Sequence, residues 1–387
     1  MTRVIALHLG LEWTHGYSKR ELKPAIKLNT NYCLLLADVF MTSIADSIEI
    51  AGLEIRNRIA MPPMVIRLAS DNGEVTTKLI EHYEKRSKGG AGLIIVEASA
   101  ITWEHRISEN NIGVHDDSLI DGLGELADGI KKHGARAFIQ INHSGSKKYH
   151  NGRFVGPSPI PVMKGPVPEE LSVDEIMEIK DMFIEAASRV KEAGFDGVEI
   201  HAAHFFLLSS FLSSYSNQRR DEYGGSTQNK AKFVVDVIKG VKRQVGSFPV
   251  QCRMNGIENY IRGIDIDEAK HIAQMLEKTG VDSINVSGYM SPMFDEEKIA
   301  RFSRENKPSI FNDFPWGCVI PCAAEIKKVV NIPVIGVGMV RTAEFAEKVI
   351  RENLCDLVAV GRGHLADPEF ASKVLNGKGN EIKQVTD

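Results

Sequence analysis

The stretch Glu199-Ile-His201-Ala-Ala-His204-Phe-Phe206 sets two imidazoles three residues apart, just past an apolar run that begins at Gly197. Two neutral imidazoles held close together form a pair of hydrogen-bond donors for an oxygen that is gaining negative charge. The same pair could do acid–base work or ligate a metal. Third and fourth ligands are not evident, however, and a strand end suits oxyanion binding better, so no metal is expected. Soon afterwards comes the polar loop Asn217-Gln-Arg-Arg220-Asp221-Glu-Tyr-Gly-Gly-Ser226, in which Arg220 and Asp221 read as a buried pair that shapes the loop.

The elements that must position these residues repeat one pattern, a Gly, Asp or Pro turn feeding a short apolar run. Ile59-Ala-Met61, Gly92-Leu-Ile-Ile-Val96, Ala137-Phe-Ile-Gln-Ile141 and Gly197-Val-Glu-Ile200 are four such runs. Pro249-Val-Gln-Cys252, Asp282-Ser-Ile-Asn-Val286, Pro333-Val-Ile-Gly-Val337 and Asp356-Leu-Val-Ala-Val360 are four more. Continuous apolar runs of this length suit parallel strands buried on both faces. Helical periodicity fills the gaps at 76–88, 119–133, 173–193, 231–245, 267–279, 323–330, 343–352 and 368–375. Ser172-Val-Asp-Glu175 reads as a capping box opening the third of these segments. Strict β-then-α alternation over about eight units predicts an α/β fold, a closed (β/α)8 TIM barrel, with a doubly wound sheet as the alternative. Ile48 to Ile55 alternates around Ala51-Gly52 and predicts an N-terminal β-hairpin that plugs one mouth of the barrel.

In such a barrel the chemistry sits at the C-terminal ends of the strands. That rule selects Pro63 and Met64, Ala98, Gln140 and His143, His201 and His204, Arg253, Gly338, and Gly361-Arg362 in chain order. A glycine turn after the seventh run and Gly-Arg after the eighth fit a phosphate site. The connection from Ser144 to Leu171 is long and rich in Gly and Pro, as binding loops often are.

Composition narrows the partners. The chain has 387 residues, with 47 basic against 51 acidic side chains and a net charge of −4, so no broad nucleic-acid surface is expected. Its five cysteines, Cys33, Cys252, Cys318, Cys322 and Cys355, are odd in number and scattered. They fit a reduced, cytoplasmic setting better than a disulfide framework. No apolar run approaches the roughly 20 residues needed to cross a bilayer, so no membrane association is expected. Residues 1–40 read as an N-terminal extension outside the fold, with Met41 as the natural start and 41–387 as one barrel domain.

From about Ser43 onward the chain resembles the old yellow enzyme family of FMN-dependent NAD(P)H:flavin oxidoreductases. The resemblance is carried by Asn57-Arg-Ile-Ala-Met-Pro-Pro-Met64, Gln140-Ile-Asn-His-Ser-Gly145, His201-Ala-Ala-His204, Phe211-Leu-Ser213, the loop 217–226 and Val360-Gly-Arg362. It implies an FMN across the barrel mouth and NADH or NADPH as reductant. Pro63, Met64 and Val65 would line the flavin edge, Ala98 would leave room for the ring, and Gln140 would hydrogen-bond its pyrimidine part. Arg253 would place positive charge near N1 and the C2 oxygen, favouring the anionic reduced form. Gly338, Gly361 and Arg362 would hold the phosphate. His201 and His204 would grip the carbonyl oxygen of a small-molecule substrate, an activated alkene that takes its hydride in a second half-reaction in the same pocket.

The sequence also departs from the family. Two residues after the second His or Asn the family typically has a proton-donating Tyr, and this chain has Phe206, next to the substrate. Tyr215, Tyr260 and Tyr289 are candidate replacements if loops bring them near. Val65 stands where relatives often carry Cys or Thr. Arg67 hints at an anionic substrate or is a solvated loop residue. Ser146 stands where an Arg is usual, with Lys147 able to supply the charge. Larger relatives continue into a four-cysteine iron–sulfur cluster and further domains. The chain ends at Asp387, about where those cysteines would begin, so a stand-alone form or a split or truncated gene is expected, and no iron–sulfur site. The alternative to alkene reduction is a flavin reductase, or a subunit exchanging electrons with a partner chain; a homo-oligomer is also open.

Overall fold

In chain order the strands are β1 Ile48–Ile50, β2 Leu53–Ile55, β3 Ile59–Met61, β4 Leu93–Ala100, β5 Arg136–Asn142, β6 Val155–Gly156 and β7 Glu169–Glu170. They continue with β8 Gly197–Ala202, β9 Val250–Glu258, β10 Ser283–Tyr289, β11 Val334–Val337 and β12 Leu357–Ala359. These elements come from a computed structural model that describes residues 42–383 apart from 148, 150, 151, 163, 259, 261 and 290–318. The extension 1–40, with Cys33, and also Cys318 lie outside the described residues. Eight of the strands close into a parallel barrel in the order β10-β11-β12-β3-β4-β5-β8-β9, and each corresponds to one of the eight apolar runs. The (β/α)8 barrel is therefore the fold.

The helices are α1 Thr77–Lys88, α2 Ile120–Lys131, α3 Val173–Glu192, α4 Leu207–Leu212, α5 Thr227–Val245, α6 Ile266–Thr279, α7 Ile320–Lys327, α8 Ala343–Arg351, α9 Gly361–Ala366 and α10 Phe370–Leu375. Side-chain caps fix where several of them start. Ser172 and Glu175 form the expected capping box on α3, and Asp265 accepts from the Glu268 amide at the start of α6. Each such cap satisfies a backbone donor that the helix cannot, worth about 1 kcal/mol. Helices α4 and α9 were not expected: α4 is buried on every side, and α9 opens Gly-Arg-Gly, so neither shows an apolar stripe.

Strands β1 and β2 pair antiparallel around Ala51 and Gly52, whose φ values of 50° and 80° turn the chain back. Ile50 and Ile55 are fully buried against Ala60, Leu93, Ile95, Phe138, Ile335 and Leu357, so the hairpin closes the N-terminal end of the barrel with apolar side chains. Among the described residues no helix is long and apolar enough to cross a membrane.

Two local expectations change. Ala98, His201 and Arg253, one or two residues past their apolar runs, lie inside longer strands rather than in the turns beyond them, because ladder hydrogen bonds use the backbone whatever the side chain. In the polar loop the partner of Asp221 is Arg219, not Arg220. Arg219 points inward and also donates to the carbonyls of Pro157 and Leu171, whereas Arg220 is exposed.

Candidate active site

Strand register builds the barrel interior in layers. Gln140 pairs with Glu199 and Glu199 with Gln251, so one layer carries polar side chains on three neighbouring strands. Two residues further along, His201 pairs with Arg253 and Arg253 with Asn285; beyond them Asn255 pairs with Ser287. Residues two apart on a strand share a face, so these layers stack toward the C-terminal mouth.

Glu199 is the centre of the lower layer and is fully buried. Gln140 donates to it at 2.7 Å, Asn285 donates at 2.7 Å, and Gln251 donates to the same carboxyl group. Burial pushes the Glu199 carboxyl above its ordinary value, while Arg253 and the three amides pull the other way. The belt fixes the Gln140 side chain. Sequence reasoning selected Gln140 and Arg253 but missed Glu199, Gln251, Asn285 and Ser287. The available signal was a polar residue, Glu199, Gln251 or Asn285, inside each of three apolar runs; Ser287 lies just past the third.

The two imidazoles lie against each other. His201 Nε2 and His204 Nδ1 are 2.9 Å apart, and His204 Nε2 lies 2.7 Å from Ser287 Oγ. His201 Nδ1 is buried without a partner. Burial, with Arg253 and Lys147 nearby, holds both rings well below their ordinary 6.5, so both are neutral near pH 7. His204 and Phe205 adopt φ values of 62° and 55°, a conformation that costs L-residues energy and that turns the chain out of β8 into α4. The Asn255 side chain supports this turn by accepting from the His204 amide at 3.2 Å.

Adjoining the pair through Arg253, which is in register with His201, a cleft of about 240 Å³ is lined by Pro63, Met64, Arg253, Gly338, Gly361 and Arg362, together with Arg341 and Lys383. Six of the nine residues selected for the cofactor thus meet in one cleft; Val65, Ala98 and Gln140 are not part of its lining. The chemistry of the cleft fits a phosphate-bearing flavin. A Cβ on Gly361 would come within 2.9 Å of Met64 Sδ, and Gly338 has φ 145°, so side chains at either position would crowd the space. Arg253 is buried, with Nε unpartnered and only long bonds, 3.5 Å to the Pro63 carbonyl and 3.4 Å to Ser287 Oγ. Such a guanidinium is disposed toward an anion. The loop of Pro63 to Ile66 is tied to β4 where the Ile66 amide donates to Glu97 at 2.8 Å. Ala98 sits at a register shift between Val96 and Ser99 and is buried.

Phe206 is the N-cap of α4, its ring 4.7 Å from that of His201. Loops do gather the three tyrosines, but around Phe205: Tyr215, Tyr260 and Tyr289 lie 5.9, 5.2 and 5.0 Å from its ring. The Tyr215 hydroxyl donates to the Pro161 carbonyl. Lys147, from the long connection, donates to the His204 carbonyl at 2.9 Å. Its Nζ is 4.8 Å from the Phe206 ring and 5.0 Å from the Tyr289 ring. Arg67 is exposed at φ 57° and makes no hydrogen bond to the histidine pair. His143 stacks on His105 at 4.1 Å, and its Nδ1 accepts from the Gly145 amide, an arrangement that shapes the turn leading to Lys147.

Comparison with known proteins shows the family. Residues 44–381 match the NADH:flavin oxidoreductase / NADH oxidase family. The chain is 40% identical over 345 residues to an NADH oxidase of Thermoanaerobacter brockii, covering 87% of this chain and 51% of that protein. It is 36% identical over 321 residues to an NADPH dehydrogenase of Bacillus pumilus, covering 82% of this chain and 90% of that protein. Among solved structures it is similar to a 2-naphthoyl-CoA reductase in complex with 2-naphthoyl-CoA, with a TM-score of 0.79 and 26% identity over 88% of this chain and 53% of that one. The chain spans about half the length of the NADH oxidase and of the naphthoyl-CoA reductase.

Proposed function

The chain belongs to the NADH:flavin oxidoreductase / NADH oxidase family, and from that membership we propose that it is an FMN-dependent oxidoreductase that draws a hydride from NADH or NADPH and passes it to an activated alkene. The observation that carries this reading is the meeting of Pro63, Met64, Arg253, Gly338, Gly361 and Arg362 in one cleft beside a neutral histidine pair. When bound, the flavin stores the hydride between the two half-reactions.

The residues divide the remaining work. Gly338, Gly361 and Arg362 would hold the phosphate, and Pro63, Met64 and Val65 would line the ring edge. Ala98 keeps space open, Gln140 is held by Glu199 in a fixed orientation, and Arg253 supplies positive charge. The facing nitrogens of His201 and His204 each donate to the substrate carbonyl oxygen, which takes the place of their mutual hydrogen bond. The Ser287 hydroxyl can give or take a proton at His204 Nε2; when it donates there, the His204 proton stands on Nδ1, toward the substrate, and His201 carries its own on Nε2 as the second donor. One such donor to a developing oxyanion is commonly worth about 3 kcal/mol. Arg67, exposed near the mouth, suits an anionic substituent on the substrate.

Phe206 favours a second reading, because it sets a ring where the alkene reaction needs an acid. Under that reading the protein is a flavin reductase, or exchanges electrons with a partner chain. Anaerobic reduction of the bound flavin by NADH or NADPH, then reoxidation with a panel of enones and enoates, separates the two. Reoxidation faster than in buffer supports alkene reduction; no acceleration by any member of the panel leaves the second reading.

A further inference from the structure

We propose that the ammonium group of Lys147 delivers the proton that the substrate's α-carbon requires, in a site whose position 206 offers no hydroxyl; the proposal rests on the alkene reading above. Three contacts place the group. Nζ donates to the His204 carbonyl at 2.9 Å, lies 4.8 Å from the centre of the Phe206 ring, and lies 5.0 Å from the centre of the Tyr289 ring. The Phe206 ring in turn packs 4.7 Å from that of His201. Lys147 therefore borders the two imidazoles on the side where Phe206 stands. The aromatic faces hold a cation there without neutralising it, and among the described residues no carboxylate pairs with it. One N–H is used on the His204 carbonyl, which leaves the ammonium two more to present.

The proton balance closes. After the β-carbon has received its hydride, the former π pair is shared between the α-carbon and the carbonyl oxygen held by the histidines. An N–H bond of Lys147 breaks as the α-C–H bond forms, leaving a neutral amine that takes a proton from water. NADH or NADPH is oxidised and the alkene reduced. Burial brings the Lys147 ammonium down from 10.5 to about 8, a range in which it can both hold and give a proton near neutrality. The described titratable groups facing it are His201 and His204 from β8 and its turn and Tyr289 on β10. The histidines stay neutral and burial raises the Tyr289 phenol above 10.0, so of these described groups Lys147 alone changes charge between about pH 7 and 9.

The test uses the flavin-loaded full-length protein, with each half-reaction followed separately and 2-cyclohexenone as the probe alkene. In the wild type the alkene half-reaction should lose about tenfold per pH unit above pH 8. Lys147→Met should slow that half-reaction by about 100-fold or more, at least tenfold beyond any effect on flavin reduction, and flatten its pH profile. Lys147→Arg, which keeps the charge but does not give up a proton, should be nearly as slow as Lys147→Met. Adding Phe206→Tyr to Lys147→Met should restore much of the rate. Independently of turnover, NMR titration of ε-13C-lysine in the protein should show one resonance with a midpoint near 8 that Lys147→Arg removes. An alkene half-reaction unaffected by Lys147→Met, or fully supported by Lys147→Arg, overturns the proposal while leaving alkene reduction intact. If 2-cyclohexenone and the wider panel fail to reoxidise the wild-type flavin, the underlying reading falls instead.

Discussion

The two ends of the barrel mouth are built by opposite means. After β11 and β12 the cleft is open, with glycines that make room and the exposed cations Arg341, Arg362 and Lys383 at its rim. Toward the ends of β8, β9 and β10 the groups are buried, and Glu199, His201 and His204 are held by side chains on neighbouring strands or turns. The first end leaves space beside exposed cations and tolerates solvent, as the proposed phosphate site requires. The second works by excluding water, which strengthens each hydrogen bond and raises the cost of an unpaired group. Changes at the open end should therefore act on cofactor retention, and changes at the buried end on the fold and the chemistry together.

Breaking the buried end at its centre should have the largest effect. Glu199→Ala leaves the amides of Gln140, Gln251 and Asn285 without their common acceptor. At about 1 to 3 kcal/mol for each stranded donor, a loss of at least about 3 kcal/mol is expected in denaturant unfolding. A loss below about 1 kcal/mol would show that water substitutes for the carboxylate and that the contrast is overstated. At the open end, Arg362→Ala should cost about 1.5 to 3 kcal/mol of FMN binding and little stability. Fluorimetric titration should find the wild-type advantage shrinking with salt, since Arg362 is exposed.

A pH series sharpens the same contrast. His201, His204 and His364 are held below 6.5 in the fold by burial, so below about pH 6.5 the unfolded chain binds more protons than the native one. The stability these residues contribute is present above that pH and is lost as pH falls, by up to about 1.4 kcal/mol per unit for each histidine. Unfolding midpoints from about pH 7 down to 5 should show the decline, and His201→Asn with His204→Asn should flatten it; an unchanged slope would place the titration elsewhere. The smallest effect belongs to Arg220→Ala, expected within about 0.5 kcal/mol because the side chain is exposed, whereas Arg219→Ala should cost clearly more.

Much of this was legible in the sequence, for a physical reason. Apolar runs and 3.6-residue periodicity are local, and they located every barrel strand and eight of the ten helices found among the described residues. The glycine turns after β11 and β12 were legible because they stand at fixed strand ends. Ser287 and the Glu199 belt were not, because their partners come from strands 52 to 86 residues away in the chain. Arg219 and Arg220 show the limit at close range. Neighbouring identical residues differ only in which way the backbone turns them, and that is decided by the carbonyls of Pro157 and Leu171 on another segment.

The hairpin of β1 and β2 has a kinetic consequence. Ile50 and Ile55 fill the far end of the barrel, so on the proposed reading, in which one pocket at the other end serves both half-reactions, reductant and alkene enter and leave by turns. Each is then a competitor of the other: double-reciprocal plots should run parallel at low concentrations, and an excess of either reactant should slow turnover.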